Sequence, residues 1–126
     1  MNELTLGLDD GSPWVRPGGT VSGTASWRHE EDPDAIELRL FWYTRGKGTE
    51  DLEIVDSRRI EAPGPAGSRR FRFQLPEGPY SFSGTLITLA WALELVVLPG
   101  EATERVDLVV APTPVEVDLR SGPWRP

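Results

Sequence analysis

The sequence predicts an all-β domain, a sandwich or barrel of about seven or eight antiparallel strands. Three observations carry this reading. Apolar residues recur with a period of two along most of the chain; Gly (13) and Pro (12) fall between those runs and keep them short; and outside residues 79–98 no segment sustains a 3.6-residue period. The 126 residues suffice for one core, read as a single domain over residues 1–119 with a tail at 120–126.

The elements follow in order. Leu4, Leu6 and Leu8 alternate with Glu3, Thr5 and Gly7, and the turn formers of residues 9–13 stop this first strand. Val21, Gly23, Ala25 and Trp27 alternate with Thr20, Ser22, Thr24, Ser26 and Arg28, giving one apolar and one polar face. The acidic segment from His29 to Asp34 reads as a hairpin tip leading into Ile36, Leu38, Leu40 and Trp42, which alternate with Glu37, Arg39, Phe41 and Tyr43. After a polar loop at 44–50, Leu52 and Ile54 open a weaker strand toward Ile60, and residues 62–67 interrupt regular structure. Phe71, Phe73 and Leu75 alternate with Arg70, Arg72 and Gln74 until Pro76. Beyond Pro99 and Gly100, Val106, Leu108 and Val110 form a strand, and Val115, Val117 and Leu119 close the series.

The most apolar run, Leu86 to Leu98, has 13 residues with Glu94 near its centre, whereas a membrane helix needs about 20 apolar residues. A buried helix would align Leu86, Leu89, Ala90, Leu93 and Val97, but the β-branched Thr85, Ile87, Thr88, Val96 and Val97 favour a strand. A period of two places Ile87, Leu89, Trp91, Leu93, Leu95 and Val97 on one face, with Thr88, Ala90, Ala92 and Glu94 on the other. At ~1.5–3 kcal/mol for each large side chain buried, that face supplies on the order of 10 kcal/mol before conformational entropy is counted. This is the predicted central strand of a sandwich core.

A net charge of −7 and a pI near 4.7 oppose binding to phosphate backbones and anionic lipid surfaces, so neither nucleic acid nor membrane is an expected partner. With no Cys there is no disulfide and no thiolate chemistry, which fits a reducing compartment. The first residues lack the basic and apolar regions of a signal peptide, so the expected location is cytoplasmic. A single Lys against twelve Arg, with much Gly and Pro, is the bias of a GC-rich bacterial genome.

Several segments together carry a family resemblance. A Pro-Gly-Gly-x-Val-x-Gly entry from Pro17 to Gly23 precedes an alternating strand. Phe71 to Pro76 then reads F-x-F-x-L-P, and Tyr80 to Gly84 reads Y-S-F-x-G before the long strand with Trp91. In this order and spacing, from about Leu4 to Val110, the chain resembles arrestin-like domains, in particular bacterial members related to sporulation-control proteins and the amino-terminal half of arrestin. The resemblance implies an immunoglobulin-like β-sandwich that works by protein–protein binding without a catalytic centre or cofactor. An arrestin pairs two such sandwiches where this chain has one, and the resemblance does not place arrestin's buried charged network on residues of this chain. Independently of the family, Gly18 and Gly19 permit a positive-φ turn, Gly23 suits a bulge or a close neighbour, and Ser81 and Ser83 suit bonds to local backbone.

Arg58, Arg59, Arg69, Arg70 and Arg72 flank the 62–67 loop as a basic cluster on an acidic protein, suited to a carboxylate-rich or phosphorylated partner. Trp14 and Trp124 lie outside the strands, and they join the arginines as candidate partner contacts. The competing reading of the arginines is neutralisation of nearby Asp and Glu; that of the tryptophans is packing over the sandwich end. An open sandwich also offers edge strands for β-augmentation or a homodimer. No catalytic or metal site is expected: Glu30, Glu31, Asp32 and Asp34 lack calcium-loop spacing, His29 has no nucleophile elbow near it, and Arg45 to Thr49 lacks the P-loop pattern. The expected function is a non-enzymatic protein-interaction or scaffold module. The alternative is a small-ligand or carbohydrate-binding module with Trp14, Trp42 or Trp124 as its platform.

Overall fold

The computed structural model describes residues 3–46, 50–83, 87–100, 102–112 and 117–118. Along the chain the strands are β1 (Glu3–Leu8), β2 (Trp14–Val15), β3 (Thr20–Arg28), β4 (Ala35–Gly46), β5 (Leu52–Glu61), β6 (Ala66–Gln74), β7 (Phe82–Ser83), β8 (Ile87–Leu98), β9 (Thr103–Val110) and β10 (Val117–Asp118). They form two sheets. A small sheet has the order β1-β3-β6; a larger one runs β10-β7-β8-β4-β5, with β9 pairing the same edge of β8 as β7 and with β2 beyond β9.

The period-2 rule explains the core. Leu89, Trp91, Leu93, Leu95 and Val97 of β8 are all buried and face Val21, Ala25, Phe71 and Phe73 of the small sheet, with Ile36, Leu38 and Leu40 beside them on β4. Ile87 departs from expectation: at the strand end opposite Gly46 it is 42 % exposed. On the outer face Phe41 is also buried, because the Arg105 guanidinium lies 5.1 Å from its ring centroid and 5.3 Å from that of Tyr43. Glu94 pairs with the same Arg105, its cross-strand neighbour, at 3.8 Å.

Four further expectations are corrected. β3 and β4 do not form a hairpin: β3 pairs with β1 and β6, β4 pairs with β5 and β8, and His29 to Asp34 carries the chain from one sheet to the other. The His29 N–H is satisfied by Pro65 O on the neighbouring connection at 2.6 Å. Next, β6 starts at Ala66, so only residues 62–65 of the 62–67 loop break the strands. Gly18 holds the positive φ of +74°, and Gly19 does not share it.

Ser81 is the fourth. Its partner is distant: the Ser81 N–H donates to Val110 O at 2.8 Å and its Oγ accepts the Val110 N–H at 3.0 Å. Two residues earlier, Pro79 O accepts the Trp91 Nε1–H at 2.8 Å. The lead-in to β8 is therefore pinned to both β8 and β9. Among the described residues no helix is long and apolar enough to cross a membrane.

Candidate functional site: an arginine-lined open side

The two sides of the sandwich differ. On one side β1 approaches β9, and the Trp14 Nε1–H closes over the end by donating to Ala111 O at 2.9 Å, with Arg16 above its ring. On the other side both sheets end in edge strands, β5 and β6, which have no further strand beyond them among the described residues. Between these edges lies a cleft of about 230 Å³. Its floor is apolar: Ala25, Ile36, Leu38, Ile60, Phe71 and Leu95. Its rim holds all five arginines singled out from the sequence, Arg58, Arg59, Arg69, Arg70 and Arg72.

Register fixes which way each arginine faces. Arg58 pairs across β4 with buried Leu38 and so turns inward, whereas Arg59 pairs with Glu37 on the outer face. On β6, Arg69 shares the face of buried Phe71 and Phe73, while Arg70 and Arg72 share the outer face.

Their commitments also differ. Arg58 donates to Asp56 at 2.7 Å, stacks 4.7 Å from the Phe73 ring centroid, and extends Nη2 to 3.5 Å from Arg72 O across the cleft. Arg59 is paired with Glu61 and lies 3.7 Å from Glu37, and the Glu61 hydrogen bond raises its pKa further. Arg70 grips Asp9 through two 2.7 Å hydrogen bonds and reaches Thr24 Oγ1 at 3.3 Å. Among the described residues the guanidinium groups of Arg69 and Arg72 meet no hydrogen-bond acceptor or carboxylate. Three of the five thus neutralise local acids and two do not.

The Asp9–Arg70 pair has a pH signature. The Arg70 hydrogen bond first, and the Ser22 hydroxyl second, hold the Asp9 carboxyl below its ordinary pKa. A group with a depressed folded-state pKa binds fewer protons folded than unfolded, so its contribution is present above the unfolded value and is lost as pH falls through the folded one. Asp9→Asn is expected to flatten the fall in stability below about pH 4 relative to wild type. Urea unfolding at about pH 7 and about pH 3 checks this, and parallel losses in both proteins would refute it.

The backbone of β6 adds a second feature. The Leu75 N–H donates to Gly19 O at 2.8 Å, and the β3–β6 register has no shift, so odd-numbered residues of β6 bond to β3. The N–H and C=O groups of Ser68, Arg70, Arg72 and Gln74 therefore point away from the sheet, toward the cleft side. The approach of Arg58 to Arg72 O agrees with that orientation.

The other candidates are placed as follows. His29 is 8 % exposed and lines a shallow cleft with Glu30, Glu31, Asp32, Pro33, Val97 and Pro99. Among the described residues no three such side chains converge as metal ligands would. Trp27 and Trp91 are buried, Trp42 is half-buried against the core, and half-buried Trp14 is engaged by Ala111 and Arg16. Trp124, and residues 47–49 of the polar loop, lie outside the described residues.

Compared with solved structures, the chain is similar to Spo0M, a sporulation control protein from Bacillus subtilis, with a TM-score of 0.62 and 20 % identity over 86 % of this chain. The fold is arrestin-like. This arrestin-like sandwich spans about half of that structure, covering 49 % of its length. No family model matches the chain, and no curated protein matches it in sequence.

Proposed function

We propose that this arrestin-like sandwich is a non-enzymatic protein-interaction module of the bacterial cytoplasm that engages its partner through the open β5/β6 side. The observation that supports this most is the convergence on an apolar, arginine-rimmed cleft of two strands that are sheet edges among the described residues, where two of the arginines also have no acidic partner. Similarity in fold to a sporulation control protein supports a regulatory role over a catalytic one. Trp14 is engaged by Ala111 and Arg16, and the reading does not depend on it.

The test uses a photo-crosslinking residue at Ser68, exposed on β6, with a control at Asp107 on the outer face of β9. In native lysate a discrete adduct is expected from position 68 and not from position 107. It is expected to vanish in Arg69→Glu/Arg72→Glu, whose unfolding midpoint should equal that of wild type because neither guanidinium has a partner to lose among the described residues. Equal labelling at both positions, or an adduct indifferent to the arginines, would contradict the proposal.

A further inference from the structure

We propose that the free edge of β6 accepts an extended segment of a partner protein whose alternate side chains are anionic, added as a strand beside Ser68 to Arg72. This rests on the interaction-module reading above and specifies the chemistry of its partner. The backbone supplies the template, since the outward N–H and C=O groups of Ser68, Arg70 and Arg72 are the groups that a new strand would bond.

Side chains of an added strand alternate between two environments. On the outer face they lie beside Arg70 and Arg72. Arg70 is already held by Asp9, and Arg72 has no carboxylate among the described residues. On the inner face they lie over the apolar floor at Phe71 and Ile60, with Arg69 at the mouth. Anionic side chains outward and apolar side chains inward fit both. The same arginines act as a filter: a cationic strand meets like charge directly opposite, and a second copy of β6 would crowd its Arg69, Arg70 and Arg72 close to the same three residues. Charge therefore selects an acidic partner over self-association.

Arg58 completes the device. Resting on Phe73 and reaching toward Arg72 O, it covers one outward carbonyl of the empty edge. An arriving strand takes over that carbonyl and displaces the guanidinium, which keeps its Asp56 partner.

The probes are acetylated, amidated octapeptides titrated into the full chain by fluorescence anisotropy. Three alternate valine with glutamate, with phosphoserine or with serine; a fourth is a block peptide, a run of glutamates followed by a run of valines in the same composition as the first. The expected result is binding of the glutamate and phosphoserine peptides, at least tenfold weaker binding of the serine and block peptides, and at least tenfold loss in Arg72→Glu. Equal affinity for the glutamate and phosphoserine peptides would show that carboxylates suffice; tenfold preference for phosphoserine would mark a phosphorylated segment. Both are anionic strands and support the proposal.

N-methylation of one alternate set of backbone amides should abolish binding while the other set is tolerated, because only one set faces the edge. Equal tolerance of both sets, or block and alternating peptides binding alike, would overturn strand addition. Equal binding of the serine peptide would overturn the charge selection, and a β6-mediated dimer in sedimentation would replace the partner with a second copy. Failure of every peptide alongside a persistent Ser68 crosslink would overturn this proposal and leave the interaction-module reading standing; loss of both removes both.

Discussion

Replacing Trp91 with Ala is expected to lower the unfolding free energy by about 3–5 kcal/mol, the range for large aromatic truncations in cores. Trp91 is fully buried at the centre of β8, opposite Trp42 on β4 and Leu108 on β9. It belongs to the core cluster formed by both sheets. Its Nε1–H also holds Pro79 O, so truncation leaves the lead-in to the Ser81 bonds and the β7 pairing. Domains of this size are stable by about 5–15 kcal/mol, so the variant keeps little margin. Trp91→Phe retains most of the packing and loses the Pro79 bond, and about 1–2 kcal/mol is expected from it. Urea denaturation followed by far-UV circular dichroism reads both. A Trp91→Ala midpoint within error of wild type would mean that β8 is not the centre of the core.

Gly23→Ala is expected to destabilise by about 3 kcal/mol, near the upper end of the usual overpacking range, although it adds only a methyl group. A Cβ at Gly23 would overlap the Gly7 carbonyl oxygen of β1 and come within 2.8 Å of Phe71 Cζ on β6. The first obstacle is backbone and the second lies in the core, so the small sheet can relieve neither without separating β1 from β3. Gly7→Ala is the internal control, because a Cβ there meets nothing within 4 Å. Replacing a strand glycine in open space should be neutral or mildly stabilising. Thermal unfolding should therefore drop sharply in Gly23→Ala and hold or rise in Gly7→Ala, and equal shifts would refute the close approach.

What was legible in the sequence follows from what is local. The period of two placed Leu89 to Val97 correctly on the buried face of β8, because alternation reports which side of a strand faces the core. Strand partners are not local. The residues from His29 to Asp34 would serve equally as a hairpin tip or as a crossing between sheets, and the choice is made by β6, which takes the edge of β3 that a hairpin would have used. The five arginines were visible as neighbours in sequence, and they do share one cleft. Their division into committed and uncommitted groups was not visible: Arg70 is neutralised by Asp9, 61 positions away, which only the pairing of β1 with β3 brings near. Ser81 is similar, since its acceptor role serves Val110 at the end of β9.

The central claim is that the β6 edge is open and is where a partner docks. Amide hydrogen exchange, resolved residue by residue by NMR, tests it most directly. In the free protein the Arg70 and Arg72 amides should exchange much faster than those of Phe71 and Phe73, which bond to β3. Saturation with the alternating glutamate–valine peptide should slow Arg70 and Arg72 while leaving the amides of β1 unchanged. Uniform protection along β6 in the free protein, or protection gained on β1 in place of β6, would contradict the account.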